Sequence, residues 1–162
     1  RELIIMFKLR TNWYRRAAND GGFVSHNDIE DRHHQQMMQM LNIAPRPNGP
    51  DFQITEKPYS NQIIISAWMN GQAVGGCCLQ KTSQGMMVHS LYTDPRYRRQ
   101  GVGQKVLEYV KSKYGKLVAS IENDNQTSSN LFGRSGFSPT QYDPLKELGI
   151  GVPAAYTNYQ NF

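Results

Sequence analysis

Cysteine, long apolar runs and widely spread charge are all scarce in this 162-residue chain. No stretch approaches the roughly 20 apolar residues that a membrane-crossing helix needs, and no basic-then-apolar leader opens the sequence, so no membrane association is expected. The only two cysteines are the neighbours Cys77 and Cys78. They lie in a β-like run, where adjacent side chains face opposite sides of a sheet and rarely bridge, which predicts a reducing, cytoplasmic setting. No metal is expected either. His33 and His34 would diverge by about 100° on a helix, and no cysteine or acidic spacing completes a ligand set. Internal repeats and low-complexity tracts are absent. Arg1 stands where an initiating Met would be, which leaves room for residues upstream.

What is present describes an ordinary folded chain. Hydrophobic residues make up 38% and charged residues 19%, which with this length predicts one domain able to bury a real core. The net charge of +5 is local: Arg96, Arg98, Arg99, Lys105, Lys111, Lys113 and Lys116 face one acid, Glu108, so the remaining chain is close to neutral. A field concentrated on one loop and helix suits a small polyanion. Nucleic-acid binders more often interleave basic and aromatic residues over a broad face, so no nucleic-acid partner is expected.

Periodicity gives the order of elements. A strand is expected over residues 2–9, a short helix over 12–19, and a second helix from Ser25, Asn27 or Asp28 to Leu41, ended by the proline-rich segment 44–50. Residues 62–69 and 73–80 are β-rich runs flanking Asn70-Gly71, a strong hairpin signal, and 86–92 forms a further strand. Val102, Val106, Val110 and Tyr114 then share one helical face, with Gly115 placed to end the helix. Residues 117–121 read as a buried strand reached by a helical crossover and so parallel to its predecessor. A short helix over 127–135 and strands over 137–142 and 154–159 close an α+β pattern with a mixed sheet.

Between the strand at 86–92 and the helix lies Arg98-Arg99-Gln100-Gly101-Val102-Gly103. A glycine-rich turn opening a helix can hold phosphate: the glycines let the backbone approach an anion, and the first helical turn offers N–H groups with no intrahelical partner and a positive dipole end. Arginines at its mouth add paired donors for phosphate oxygens. A Walker A loop is excluded, because the Gly-Lys-Ser/Thr ending is absent.

Leu91 to Gly103, the helix after it and the later Asn125, Phe132 and Gly136-Phe137 together resemble the GNAT superfamily of acyl-CoA-dependent N-acetyltransferases. The Arg-x-x-Gly-x-Gly core falls on Arg98, Gly101 and Gly103, and an Asp-Pro-x-Tyr approach on Asp94 to Tyr97. The resemblance implies a GNAT-like, mostly antiparallel sheet with a central β-α-β crossover and helices on both faces. It divides the single domain into an acceptor-side segment (1–61), an acyl-CoA-binding core (62–140) and C-terminal strands (141–162). It also implies acetyl-CoA as cosubstrate, with backbone N–H groups from Arg99 to Gln104, including Gln100 and Val102, on the pyrophosphate. Pantetheine would lie between the strands ending at Thr93 and Ile121, paired with main-chain groups of Leu91 and Thr93, next to Tyr92. Asn125 corresponds to a family asparagine that contacts the cofactor arm; read alone, it is an N-cap. An amine acceptor, small molecule or protein, is implied as the partner, and homodimers are common in the family.

Acetyl transfer to an amine needs a base, because an ammonium of pKa near 10.4 costs about 4 to 5 kcal/mol to deprotonate at neutral pH. His89 is the candidate, two and four residues before Leu91 and Thr93, so strict alternation points all three to one side. Some GNAT enzymes relay protons through histidines on this strand; read alone, His89 is a packed strand histidine. Others use a glutamate one step back, where this chain has Met87. Glu122 and Asp124, near the end of the next strand, are fallback bases or acceptor contacts acting through water. Phe132 stands where many relatives have the tyrosine that reprotonates the leaving thiolate, so Tyr142 or Tyr92 becomes the candidate acid. The expected activity is direct attack of a primary amine on acetyl-CoA in a ternary complex, and the alternative is a non-catalytic acyl-CoA-binding module. The methionines at 37, 38 and 40 read either as an acceptor wall or as core.

Overall fold

The computed structural model describes residues 26–162; the strand expected at 2–9 and the helix at 12–19 lie outside them. Helix α1 (His26–Leu41) leads through the proline-rich segment into four strands, β1 (Gln53–Tyr59), β2 (Gln62–Met69), β3 (Gln72–Thr82) and β4 (Gly85–Thr93). A 3-10 turn (Pro95–Tyr97) and a loop open α2 (Val102–Tyr114). Then come β5 (Leu117–Glu122), α3 (Gln126–Arg134), β6 (Ser138–Pro139), α4 (Pro144–Glu147) and β7 (Tyr156–Gln160). The seven strands form one sheet in the order β1-β2-β3-β4-β5-β7-β6. Only β4 and β5 pair in parallel, as the helical crossover between them requires.

Alternation along the strands supplies two cores. On one face Ile65, Cys77, Leu79, Val88, Leu117 and Ala119 pack beneath the apolar stripe of α2, with Phe132 of α3 joining them. On the other, Ile64, Trp68, Ala73 and Cys78 pack beneath Met37, Met40 and Leu41 of α1. Cys77 and Cys78 are therefore free thiols on opposite faces, both buried. A third, smaller cluster joins Met87 and Val118 to Leu145 and Ile150, so α4 shares the α1 side. The fold is thus α+β, with a mixed, mostly antiparallel sheet and helices on both faces. Among the described residues no helix is long and apolar enough to cross a membrane.

Three elements depart from the sequence-based expectation. β1 is an added strand, weakly alternating and containing Pro58; proline suits only an edge strand, and β1 is the edge. The strand expected over 137–142 shrinks to Ser138–Pro139 because Asp143 and Pro144 start α4, where the Asp143 side chain accepts from the Lys146 N–H at 3.1 Å. The last strand runs from Tyr156 to Gln160 instead of 154–159.

Candidate active site

The approach to α2 is built by Asp94, 1% exposed at the end of β4. Its Oδ1 accepts from the Arg96 N–H at 3.0 Å and from Arg96 Nε at 3.3 Å, and its Oδ2 from Nη2 at 2.9 Å. These bonds, the side-chain bond from Arg96 foremost, hold the Asp94 carboxyl below its ordinary pKa. The loop then turns through two left-handed residues, Arg99 (φ 64°) and Gly101 (φ 79°). Gly101 is the N-cap of α2 and makes no side-chain cap bond, so the N–H groups of the first turn lack an intrahelical acceptor. Arg98, Arg99, Gln100 and Gln104 are exposed around that helix end. A Cβ on Gly103 would stand 2.9 Å from Leu131 Cδ2 and 3.9 Å from Thr93 Oγ1, so a larger residue at this junction of loop, β4 and α3 would require the Leu131 side chain to shift. The glycine turn is therefore a candidate anion cradle.

β4 and β5 pair only through Met86↔Leu117 and Met87↔Val118, and then part. On its other side β4 carries a bulge. His89 pairs with Cys78 and Tyr92 with Gly76, so Ser90 and Leu91 stand opposite Cys77 alone, with Ser90 left-handed at φ 54°. The Ser90–Leu91 backbone thus falls outside both ladders. The parted strands enclose a cavity of about 110 Å³ that passes through the sheet. Val88, His89, Ser90 and Leu91 line it from β4, and Ser120, Ile121 and Glu122 from β5. Asn125, Ser128 and Phe132 close it at α3, and His33 and Met37 at α1.

The bulge corrects one expectation. His89 shares the α1 side with its partner Cys78, whereas Leu91 packs in the core beneath α2 and Thr93 lies near Gly103. A strand with an inserted residue cannot keep strict alternation. His89 is 6% exposed, its Nδ1 is 3.0 Å from Ser90 Oγ, and burial pulls its pKa down to about 4, so its imidazole is neutral at physiological pH.

The candidate acids lie away from this cavity. Tyr142 lies at the far end of β4, where its hydroxyl donates to Glu147 Oε1 at 2.6 Å, and Glu147 also binds Ser83 in the β3–β4 turn. Burial, then the Glu147 bond, raises its pKa. Tyr92 faces α1, its hydroxyl 2.5 Å from His34 Nδ1. Neither tyrosine lines the cavity. Phe132 does, stacked edge-on against Phe137 at 4.8 Å. Asn125 both caps α3, accepting from the Ser128 N–H at 3.2 Å, and lines the cavity. Glu122 lines it and Asp124 does not. Ser90, Ser120 and Ser128 are the polar wall residues that sequence reasoning missed, whereas His33 lies in the helix that the resemblance implies as acceptor wall. Met37 serves both as core and as wall. Among the described residues no three His, Cys, Asp or Glu side chains gather into a metal-ligating group.

The comparison with known families covers the elements that build this site. The model of the acetyltransferase (GNAT) family matches residues 26–137. The chain belongs to the GNAT family. It is accordingly an acyltransferase. A GNAT acetyltransferase from Elizabethkingia anophelis, solved with acetyl-CoA bound, shares 20% identity and aligns with a TM-score of 0.52, covering 62% of this chain and 76% of that one. The PaiA N-acetyltransferase of Thermoplasma acidophilum, solved with coenzyme A, shares 12% identity over 97% of this chain and 89% of that one, with a TM-score of 0.52. An IAA acetyltransferase from Bacillus cereus shares 18% over 62% and 77%, with a TM-score of 0.51. At these identities the likeness is one of fold. No curated protein sequence matches the chain.

Proposed function

We propose that this GNAT protein transfers acetyl from acetyl-CoA to a primary amine by direct attack in a ternary complex. The observation that carries the reading is that one strand, β4, both lines the opening beside β5 and leads through Asp94 to the uncapped start of α2. The backbone N–H groups from Arg99 to Gln104 bind the pyrophosphate, and the exposed Arg98 and Arg99 add charge-assisted donors. The main chain of Leu91 and Thr93 holds the pantetheine arm as a surrogate strand. The Ser90–Leu91 bulge supplies backbone donors where charge develops on the thioester oxygen. Asn125 and Phe132 close the far wall.

Direct attack fits the cysteines. Both are fully buried thiols held protonated by desolvation, and neither lines the cavity, so neither serves as an acyl carrier. His89 acts late. Taking a proton straight from an ammonium near pKa 10.4 with an imidazole near 4 is about 9 kcal/mol uphill. His89 instead accepts the N–H that attack on the carbonyl makes acidic. The test is acetyl-CoA-dependent release of free thiol against a panel of small amines and peptide pools, with acetyl-CoA binding measured by calorimetry. Release tied to one pool supports the reading and names the acceptor class. Tight binding with no release from any pool contradicts it.

A further inference from the structure

An acceptor arriving as an ammonium has two protons to lose before it becomes an amide, and His89 is placed for only one of them. It is sealed in the sheet at 6% exposure, without the solvent contact needed to clear a proton in each cycle. A second imidazole reaches the same cavity from the opposite wall. His33 is half-buried on α1, one turn before Met37, which lines the cavity beside it. Its ring stands edge-on to Tyr92, centroids 5.5 Å apart and planes at 90°. The next residue, His34, holds the Tyr92 hydroxyl through Nδ1 at 2.5 Å. Tyr92 is thus held by both histidines, and His33 itself lines the cavity. Among the described residues, Tyr92 on β4 stands against the His33 ring, His34 is its neighbour on the same helix, and His89 on β4 and Glu122 on β5 line the cavity with it. An imidazole that reaches water is the side chain suited to exchanging protons near neutral pH.

We propose that His33 is a catalytic residue on the acceptor side, which takes the first proton from the bound ammonium and passes it to solvent. The inference rests on the acetyl-transfer reading. In balance, R–NH3⁺ gives one proton to His33 Nδ1 or Nε2 and becomes R–NH2, and the imidazolium returns that proton to water. The nitrogen lone pair then forms the C–N bond to the acetyl carbon, and the C–S bond breaks with its electron pair leaving on the CoA sulfur. The second N–H proton passes to His89 and ends on that thiolate, giving the amide and free CoA thiol. The work is divided by access to water: one imidazole opens to solvent and supplies neutral amine, and the other is closed and serves the reacting atoms.

The test compares wild type, His33→Gln and His33→Ala in the pH profile of kcat/KM for one amine acceptor, with acetyl-CoA affinity measured in parallel. Expected in both variants is a 10- to 10²-fold loss at pH 7, the usual reach of a positioned acid or base. The near-neutral limb of the profile disappears, acetyl-CoA affinity stays within about twofold, and added free imidazole restores turnover in His33→Ala. His33→Gln keeps a polar side chain of similar reach, so it remains informative if the alanine variant folds poorly. A wild-type profile in His33→Gln, or a lowered rate with unchanged profile shape and no imidazole rescue, overturns the inference and leaves His33 a packing residue. A wild-type protein that releases no thiol with any amine overturns the acetyl-transfer reading itself, and this inference with it.

Discussion

The two ends of the β4–β5 pair are built in opposite ways. At the start, Met86 and Met87 are hydrogen-bonded partners of Leu117 and Val118, and the side chains of Met87 and Val118 are sealed under Leu145 and Ile150. At the finish the same strands share no ladder, and between them stand His89, Ser90, Glu122 and Asn125. Main chain outside a ladder forfeits hydrogen bonds, and a left-handed Ser90 costs on the order of 1 to 3 kcal/mol more. Such an opening survives only where neighbouring structure over-determines it. The closed end supplies that support, so on the proposed reading stability and chemistry are divided along the length of one strand pair. Substitutions at one end should move one property and spare the other.

The largest effect is expected at the open end. Gly103→Glu places a carboxylate at the helix start, where phosphate is to bind, and its Cβ presses on Leu131 Cδ2 at 2.9 Å. Acetyl-CoA affinity should fall on the order of 10²-fold or more in calorimetry, through charge repulsion as well as filling of the cradle. Retained affinity would mean that the phosphates bind elsewhere. At the closed end Leu145→Ala should do the reverse. Leu145 is 1% exposed against Met87 and Val118, so its truncation should cost about 2 to 4 kcal/mol in denaturant unfolding. Acetyl-CoA affinity should change little. A parallel loss of affinity would show that the two ends are coupled rather than divided.

A change of pH sharpens the comparison without mutation, because the open end carries a buried base. His89 has a folded-state value near 4 against the ordinary 6.5, so between those values the unfolded chain binds a proton that the folded chain refuses. Its contribution is fully present above about pH 6.5 and is lost as pH falls to about 4, amounting to about 3 kcal/mol. Unfolding free energies measured across this window should show that slope. His89→Gln should flatten it, and an unchanged slope in the variant would place the proton uptake on another group. If His89 takes the late proton, the acid limb of its own contribution to kcat also lies nearer pH 4 than 6.5.

Much of the cofactor side was legible in the sequence, and on the acceptor side the wall helix was implied but not which of its side chains reach the cavity. The four-residue repeat of Val102, Val106 and Val110 and the Asn70-Gly71 turn, whose residues do adopt positive φ, are local signals that tertiary structure leaves in place. So is the N-cap at Asn125. The bulge at Ser90 is invisible to a period-two count, since an inserted residue leaves composition unchanged while sending His89 and Leu91 to different faces. His33 reaches the cavity only because α1 docks across β4, some 58 residues away in sequence between His34 and Tyr92. The hydroxyl of Tyr142 was equally unplaceable, for its position follows from α4, a helix set by Asp143 and Pro144 rather than by any apolar period.

The smallest expected effect concerns the leaving group. Phe132 is buried at 2% and lines the open end, and the two tyrosines that could have replaced a missing acid are bound to Glu147 and His34 elsewhere. On the proposed reading the CoA sulfur departs as thiolate and takes its proton from His89 or from solvent. A thiol near pKa 8.5 is a good enough leaving group for this to be tolerable. Phe132→Tyr adds one hydroxyl to the same wall without removing the ring that stacks on Phe137. Below pH 8 kcat should rise by a few-fold, an increase that fades at higher pH as the thiolate no longer needs protonation. Acetyl-CoA affinity should hold, since the change lies beyond the phosphate cradle. A pH-independent fall in kcat would mean that the hydroxyl only crowds the cavity, and an unchanged rate would mean that proton delivery to sulfur is not slow at this open end.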